Sequence, residues 1–101
     1  MQQPHYRQLI PGWVIDKEPT GGWIIYEIYS GQQIGRTVRL AEGFEIELAP
    51  RGTDPNSEND ENFSIFMERF RQSAEYGDLK RGAPEATDYE ILKSHIERCF
   101  A

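Results

Sequence analysis

Trp23-Ile24-Ile25-Tyr26-Glu27-Ile28-Tyr29 is dense in β-branched and aromatic side chains, the types that suit a pleated, half-buried surface. It is the strongest strand signal in the chain. Alternation puts Ile24, Tyr26 and Ile28 on one face and Trp23, Ile25, Glu27 and Tyr29 on the other. Both faces are largely apolar, which predicts a central strand. One side belongs to a core; the other is covered by a helix, by the amino-terminal segment or by a partner.

On the amino-terminal side, Trp13 to Glu18 has extended character and runs into Pro19-Thr20-Gly21-Gly22. Proline and paired glycines there predict a hairpin turn. On the carboxyl-terminal side, Ser30-Gly31-Gln32-Gln33 predicts a second turn before Ile34-Gly35-Arg36-Thr37-Val38-Arg39-Leu40. Ile34, Val38 and Leu40 are expected inward, and Arg36 and Arg39 in water. Beyond Ala41-Glu42-Gly43, Phe44-Glu45-Ile46-Glu47-Leu48 alternates with period two, so Phe44, Ile46 and Leu48 are expected in the core and Glu45 and Glu47 outside it. Short connections leave no room for parallel crossovers, which predicts a four-stranded antiparallel meander.

The period changes after Pro50. Residues 50–62 form a polar boundary, and Phe63, Phe66, Met67, Phe70 and Ala74 then repeat at helical spacing. This helix is expected to be established by Glu61 and to stop before Gly77. Residues 77–84 are rich in breakers. Thr87-Asp88-Tyr89-Glu90 matches a capping box and predicts a second helix from Asp88 to about Cys99. Tyr89, Leu92, Ile96 and either Cys99 or Phe100 should line its inner side, with Ile91 at the edge of that stripe. The expected fold is therefore α+β: a four-stranded antiparallel meander followed by two helices packed on it. It forms a single domain over 1–101, with the sheet-forming part at about 13–49 and the helical part at about 58–100.

A chain of 101 residues with 38% hydrophobic and 28% charged residues suits one compact domain. No apolar run approaches the roughly 18 residues of a membrane span. Met1-Gln2-Gln3-Pro4 lacks the basic flank and apolar core of a signal peptide, so the expectation is a cytoplasmic protein without membrane partners. A net charge of -6, with both halves acidic, argues against generic duplex DNA binding, because affinity for phosphate backbones comes largely from cationic side chains.

Chemical motifs are sparse. The single cysteine, Cys99, excludes an intrachain disulfide and a multi-thiolate metal site. His95 precedes Cys99 by four residues, a spacing that permits contact on a helix. Yet a catalytic thiolate needs an electropositive, partly exposed setting, whereas Cys99 falls on a packing surface near Glu97. Glu45 and Glu47 share a strand face, but local spacing fixes no further ligand. Residues 54–61 lack the central glycine of a calcium loop, and Gly31 and Gly35 are not followed by the lysine and hydroxyl residue of a phosphate loop. No serine lies in a nucleophile-elbow setting. The expectation is thus no enzyme, no cofactor and no metal site.

Binding remains. The face carrying Trp23, Ile25 and Tyr29, framed by Arg36, Arg39, Glu45 and Glu47, is expected to form an apolar centre with a polar rim. The sequence therefore reads as a small acidic protein-binding module, an inhibitor or accessory protein acting through a protein partner or self-association. Two alternatives stand beside it. One is an acidic mimic of nucleic acid that blocks a basic, nucleic-acid-binding protein; the other is a small enzyme whose site assembles from histidine and carboxylates.

Overall fold

The computed structural model describes residues 6–19, 21–41 and 58–100. Among them, β1 (Arg7–Ile10), β2 (Trp13–Lys17), β3 (Trp23–Ile28) and β4 (Ile34–Leu40) form one antiparallel sheet in sequence order. Helices α1 (Glu58–Arg71), α2 (Ala74–Gly82) and α3 (Asp88–Cys99) follow and pack on it. The α+β meander expected from the sequence is present, but its first strand is new. The sheet opens at Arg7 rather than at Trp13, and the strand expected at Phe44–Leu48 lies outside the described residues. Pro11 and Gly12 turn β1 into β2, with Gly12 at φ 85° and Ile10 opposite Trp13. Proline followed by a glycine at positive φ is the arrangement of a type II turn.

Strand register decides which side of β3 is the core. Ile15 and Val38 flank Ile25, and Lys17 and Leu40 flank Trp23. Directly opposite residues of antiparallel strands share a face, so Ile15 of β2 and Val38 and Leu40 of β4 gather on the Trp23/Ile25 side. There they meet Phe63, Phe66, Met67 and Phe70 of α1 and Ile91, Leu92 and Ile96 of α3. Trp13 sets its ring edge-on against Phe66 at 5.3 Å, and Phe66 stacks on Phe70 at 5.9 Å.

Ile34 departs from its expected inward position and is 61% exposed. Between Tyr26 and Ile28 of β3 the partner residue moves from Thr37 to Ile34, so two steps on β3 match three on β4. The extra residue reverses the alternation. Val38 and Leu40 point to the core, whereas Ile34 joins Ile28 on the opposite face.

The helical part has three described helices rather than two. After α1 ends at Arg71, Ser73 caps α2 by accepting a hydrogen bond from the Tyr76 amide, and the helix runs through Gly77 to Gly82. Glycine inside a helix costs about 1 kcal/mol relative to alanine. Tertiary contacts offset this: Tyr76 packs edge-on against Phe70 at 5.4 Å and donates its hydroxyl to Asp88 Oδ1 at 2.7 Å. Ala74, expected on the α1 stripe, is instead the first residue of α2 and is exposed. In α3 the Thr87 capping box forms as expected. Its inner side is Ile91, Leu92 and Ile96, while Tyr89 is 37% exposed.

Helix side chains also close parts of both edges of the sheet formed by the described residues. On β4, the Arg39 amide donates to Asn59 Oδ1 at 2.7 Å and Asn59 Nδ2 donates to the Arg39 carbonyl at 3.1 Å. Asn62 Nδ2 donates to the Thr37 carbonyl at 3.0 Å. On β1, His95 Nε2 hydrogen-bonds the Leu9 carbonyl. These bonds satisfy backbone groups that an edge strand otherwise turns outward.

Candidate functional site

Among the described residues the helices pack on one side of the sheet, and the other side carries a second column of side chains. Its central columns are Val14 on β2, then Ile24, Tyr26 and Ile28 on β3, with Ile34 beside Ile28 on β4. Val14 is buried, Ile24, Tyr26 and Ile28 are half-buried, and Ile34 is exposed. Tyr6 lies over part of this column, its ring edge-on to Tyr26 at 6.3 Å. The Tyr26 phenol is pushed above its ordinary value of 10.0 by burial first, and then by the charge of Asp16 and by Tyr6. Neutral tyrosine with an apolar body and a polar tip suits a contact surface.

A polar margin surrounds this column. Asp16 and Arg39 flank Ile24, while Thr37 flanks Tyr26. Arg39 Nε lies 3.6 Å from Glu18 Oε2. Arg39 is exposed, and its neighbour across the strands is Ile24 rather than Trp23 or Ile25.

Trp23 and Ile25, expected as anchors of the docking face, are 3% and 0% exposed in the core. They present no surface to a partner. Tyr29 and Arg36 are exposed and brought together by Glu27. Its Oε1 accepts from the Tyr29 hydroxyl at 2.9 Å, from Arg36 Nη1 at 3.1 Å and from the Arg36 amide at 3.4 Å. Glu27 and Tyr29 form one wall of a cleft of about 380 Å³, with Ile10, Trp13 and Ile28 beside them and Arg69, Gln72 and Ser73 at the α1–α2 junction opposite. Glu45 and Glu47 lie outside the described residues.

His95 and Cys99 meet at a second cleft, of about 310 Å³, shared with Glu75, Asp78, Leu79 and Arg98. Each is engaged with the edge of β1. His95 holds the Leu9 carbonyl, and Cys99 Sγ lies 3.8 Å from the Gln8 carbonyl. Burial pushes the Cys99 thiol above its ordinary value, against the opposing charges of Arg98 and Arg7. A raised thiol has little thiolate at neutral pH. Among the described residues, no three His, Cys, Asp or Glu side chains are grouped to hold a metal ion.

Sequence reasoning missed Ile24, Tyr26, Ile28 and Ile34 as surface residues. For the β3 residues the signal was available in the polar neighbours Asp16, Thr37 and Arg39. For Ile34 it was not, because the register shift is a tertiary feature. Compared with known proteins, the chain matches no family model, no curated protein and no solved structure.

Proposed function

We propose that this chain is a non-catalytic protein-binding module, acting in the cytoplasm, that docks a partner protein on the helix-free face of its sheet. One observation carries the reading. Ile24, Tyr26, Ile28 and Ile34 share that face while all three described helices pack on the other. A contiguous apolar strip with a charged margin matches the anatomy of a docking surface, where aromatic side chains supply most of the affinity. The acidic-mimic alternative has less support. Glu58, Asp60 and Glu61 sit in the first turn of α1, where they complement the positive end of their own helix.

The test is quantitative affinity capture with wild type, a Tyr26→Ser/Ile34→Ser variant and a Tyr89→Ala variant, each first shown to be folded. The reading expects one stoichiometric partner to be lost with the sheet-face variant and retained with Tyr89→Ala, which lies on α3. Equal capture by all three proteins would reject this face as the functional site.

A further inference from the structure

The cleft between Tyr29 and the α1–α2 junction has the size and lining of a small-molecule site. Its volume of about 380 Å³ falls within the range of about 300–1,000 Å³ usual for such sites. Ile10 and Trp13, 2% and 3% exposed, line it together with Ile28 and Tyr29. We propose that this cleft binds a small aromatic carboxylate, with its ring against Trp13 and Tyr29 and its carboxylate toward Arg69. Apart from Ile28, the residues of the docking face assigned above take no part in it.

Charge selects an anion. The charged side chains in the lining are Glu27 and Arg69. Glu27 is paired with Arg36 at 3.1 Å and also accepts the Tyr29 hydroxyl. Two residues beyond Arg69, Arg71 pairs with Asp88 at 3.2 Å. Arg69 itself makes no ion pair or side-chain hydrogen bond among the described residues. A guanidinium left uncompensated beside an apolar wall suits a carboxylate with an apolar body, because it can bind both carboxylate oxygens through charge-assisted hydrogen bonds.

A second observation is independent of charge. Trp13 is 3% exposed, yet its indole N–H has no acceptor among the described residues. Buried tryptophan usually finds one. A carboxylate oxygen in the cleft that Trp13 lines supplies it.

The aromatic wall is in place before any ligand arrives. The Tyr29 hydroxyl donates to Glu27, the Tyr29 amide donates to the Gln33 carbonyl at 2.7 Å, and Gly35 leaves room for the ring. A ring already held loses little freedom on contact. The cleft lies at the Glu27 end of β3. Ala41 and Glu58, the described residues on either side of 42–57, lie toward the Trp23 end, where Leu40 is opposite Trp23 and Asn59 holds Arg39.

The test is titration of the full chain with phenylacetate, followed at the indole Nε1–H resonance of Trp13 in proton–nitrogen correlation spectra. A saturable shift is expected. Phenylacetamide keeps the ring without the charge, and acetate keeps the charge without the ring. Each is expected to bind at least about tenfold more weakly than phenylacetate, and phenylacetate is expected to lose at least about tenfold in affinity for Arg69→Gln. Ile34→Ser, on the other side of the sheet, is expected to bind phenylacetate as wild type does. Absence of a saturable shift, equal binding of either analogue, or unchanged affinity in Arg69→Gln overturns the proposal. Loss of binding in Ile34→Ser would move the site to the docking face and overturns it too.

Discussion

The ring of Tyr29 lies so close to Gly35 that a Cβ on residue 35 would fall 2.6 Å from Tyr29 Cε2 and 2.8 Å from Glu27 Oε1. The absent side chain lets the ring cross β4 and deliver its hydroxyl to Glu27. Gly35→Ala is expected to push Tyr29 aside and break that hydrogen bond. The phenol reports the same event. Its pKa lies above 10.0, chiefly because of the hydrogen bond to Glu27, and should fall back toward 10.0 in Gly35→Ala. A raised folded-state value means that this contribution is complete below pH 10 and is lost as pH rises through the folded pKa. Ultraviolet titration of the phenols checks the shift, and an unchanged curve would show that the ring finds Glu27 by another path.

Phe66 and Ile34 separate burial from hydrophobicity. Phe66 is 0% exposed and Ile34 is 61% exposed. Phe66→Ala leaves a large cavity and is expected to cost about 3–5 kcal/mol, as is Phe70→Ala. Ile34→Ser removes an apolar side chain already in water and is expected to stay within about 0.5 kcal/mol of wild type. Urea melts of the purified variants decide it. A large loss for Ile34→Ser would place that side chain inward and remove the register shift from the fold.

The elements most legible in the sequence were those with long, unbroken periodicity. β3 and β4 announced themselves by alternation, α1 by Phe63, Phe66, Met67 and Phe70, and α3 by its Thr87 capping box. β1 escaped notice because four residues carry little pattern, although Pro11-Gly12 ahead of Trp13 was a turn signal. α2 was hidden by Gly77, whose local cost is offset by contacts of Tyr76 that no local rule contains. The sides of β3 were misjudged for a different reason. Both are apolar, so the strand alone holds no answer. It lies in the cross-strand neighbours, where Leu40 faces Trp23 while Arg39 faces Ile24. Binding residues read from one strand inherit that ambiguity, which is why Trp23 and Ile25 moved to the core while Arg39 kept its place on the surface.

Thr87 and Glu90 hold the start of α3 reciprocally. The Thr87 hydroxyl accepts from the Glu90 amide at 3.1 Å and Glu90 Oε1 accepts from the Thr87 amide at 2.8 Å. Thr87→Ala is expected to cost about 1 kcal/mol. Backbone and side-chain hydrogen bonds from Thr87 hold the Glu90 carboxyl below its ordinary value of 4.5. A depressed acid contributes stability that is present above its unfolded pKa and is lost as pH falls through the folded one. Thermal melts from pH 7 down to pH 3 should therefore show wild type and Glu90→Gln converging under acid. Parallel curves would mean that the carboxylate adds nothing to the cap.

His95 and Leu9 are 86 residues apart, and the hydrogen bond between them ties the last helix to the first strand. The same imidazole stacks on Phe70, with ring centroids 6.0 Å apart and planes 20° from parallel. Two substitutions divide these roles. His95→Phe keeps an aromatic ring on Phe70 and leaves the Leu9 carbonyl without this donor, whereas His95→Gln keeps a donor and gives up the stacking. An unsatisfied buried acceptor costs about 1–3 kcal/mol, and Leu9 is 1% exposed, so His95→Phe is expected to lose an amount in that range. The loss should be local as well as global. β1 is an edge strand of four residues, and hydrogen exchange at Leu9 and Ile10 is expected to accelerate more than at Ile15 or Ile25 in the interior strands. Were exchange across β1 unchanged in His95→Phe, packing of Leu9 and Ile10 would hold the strand without the histidine.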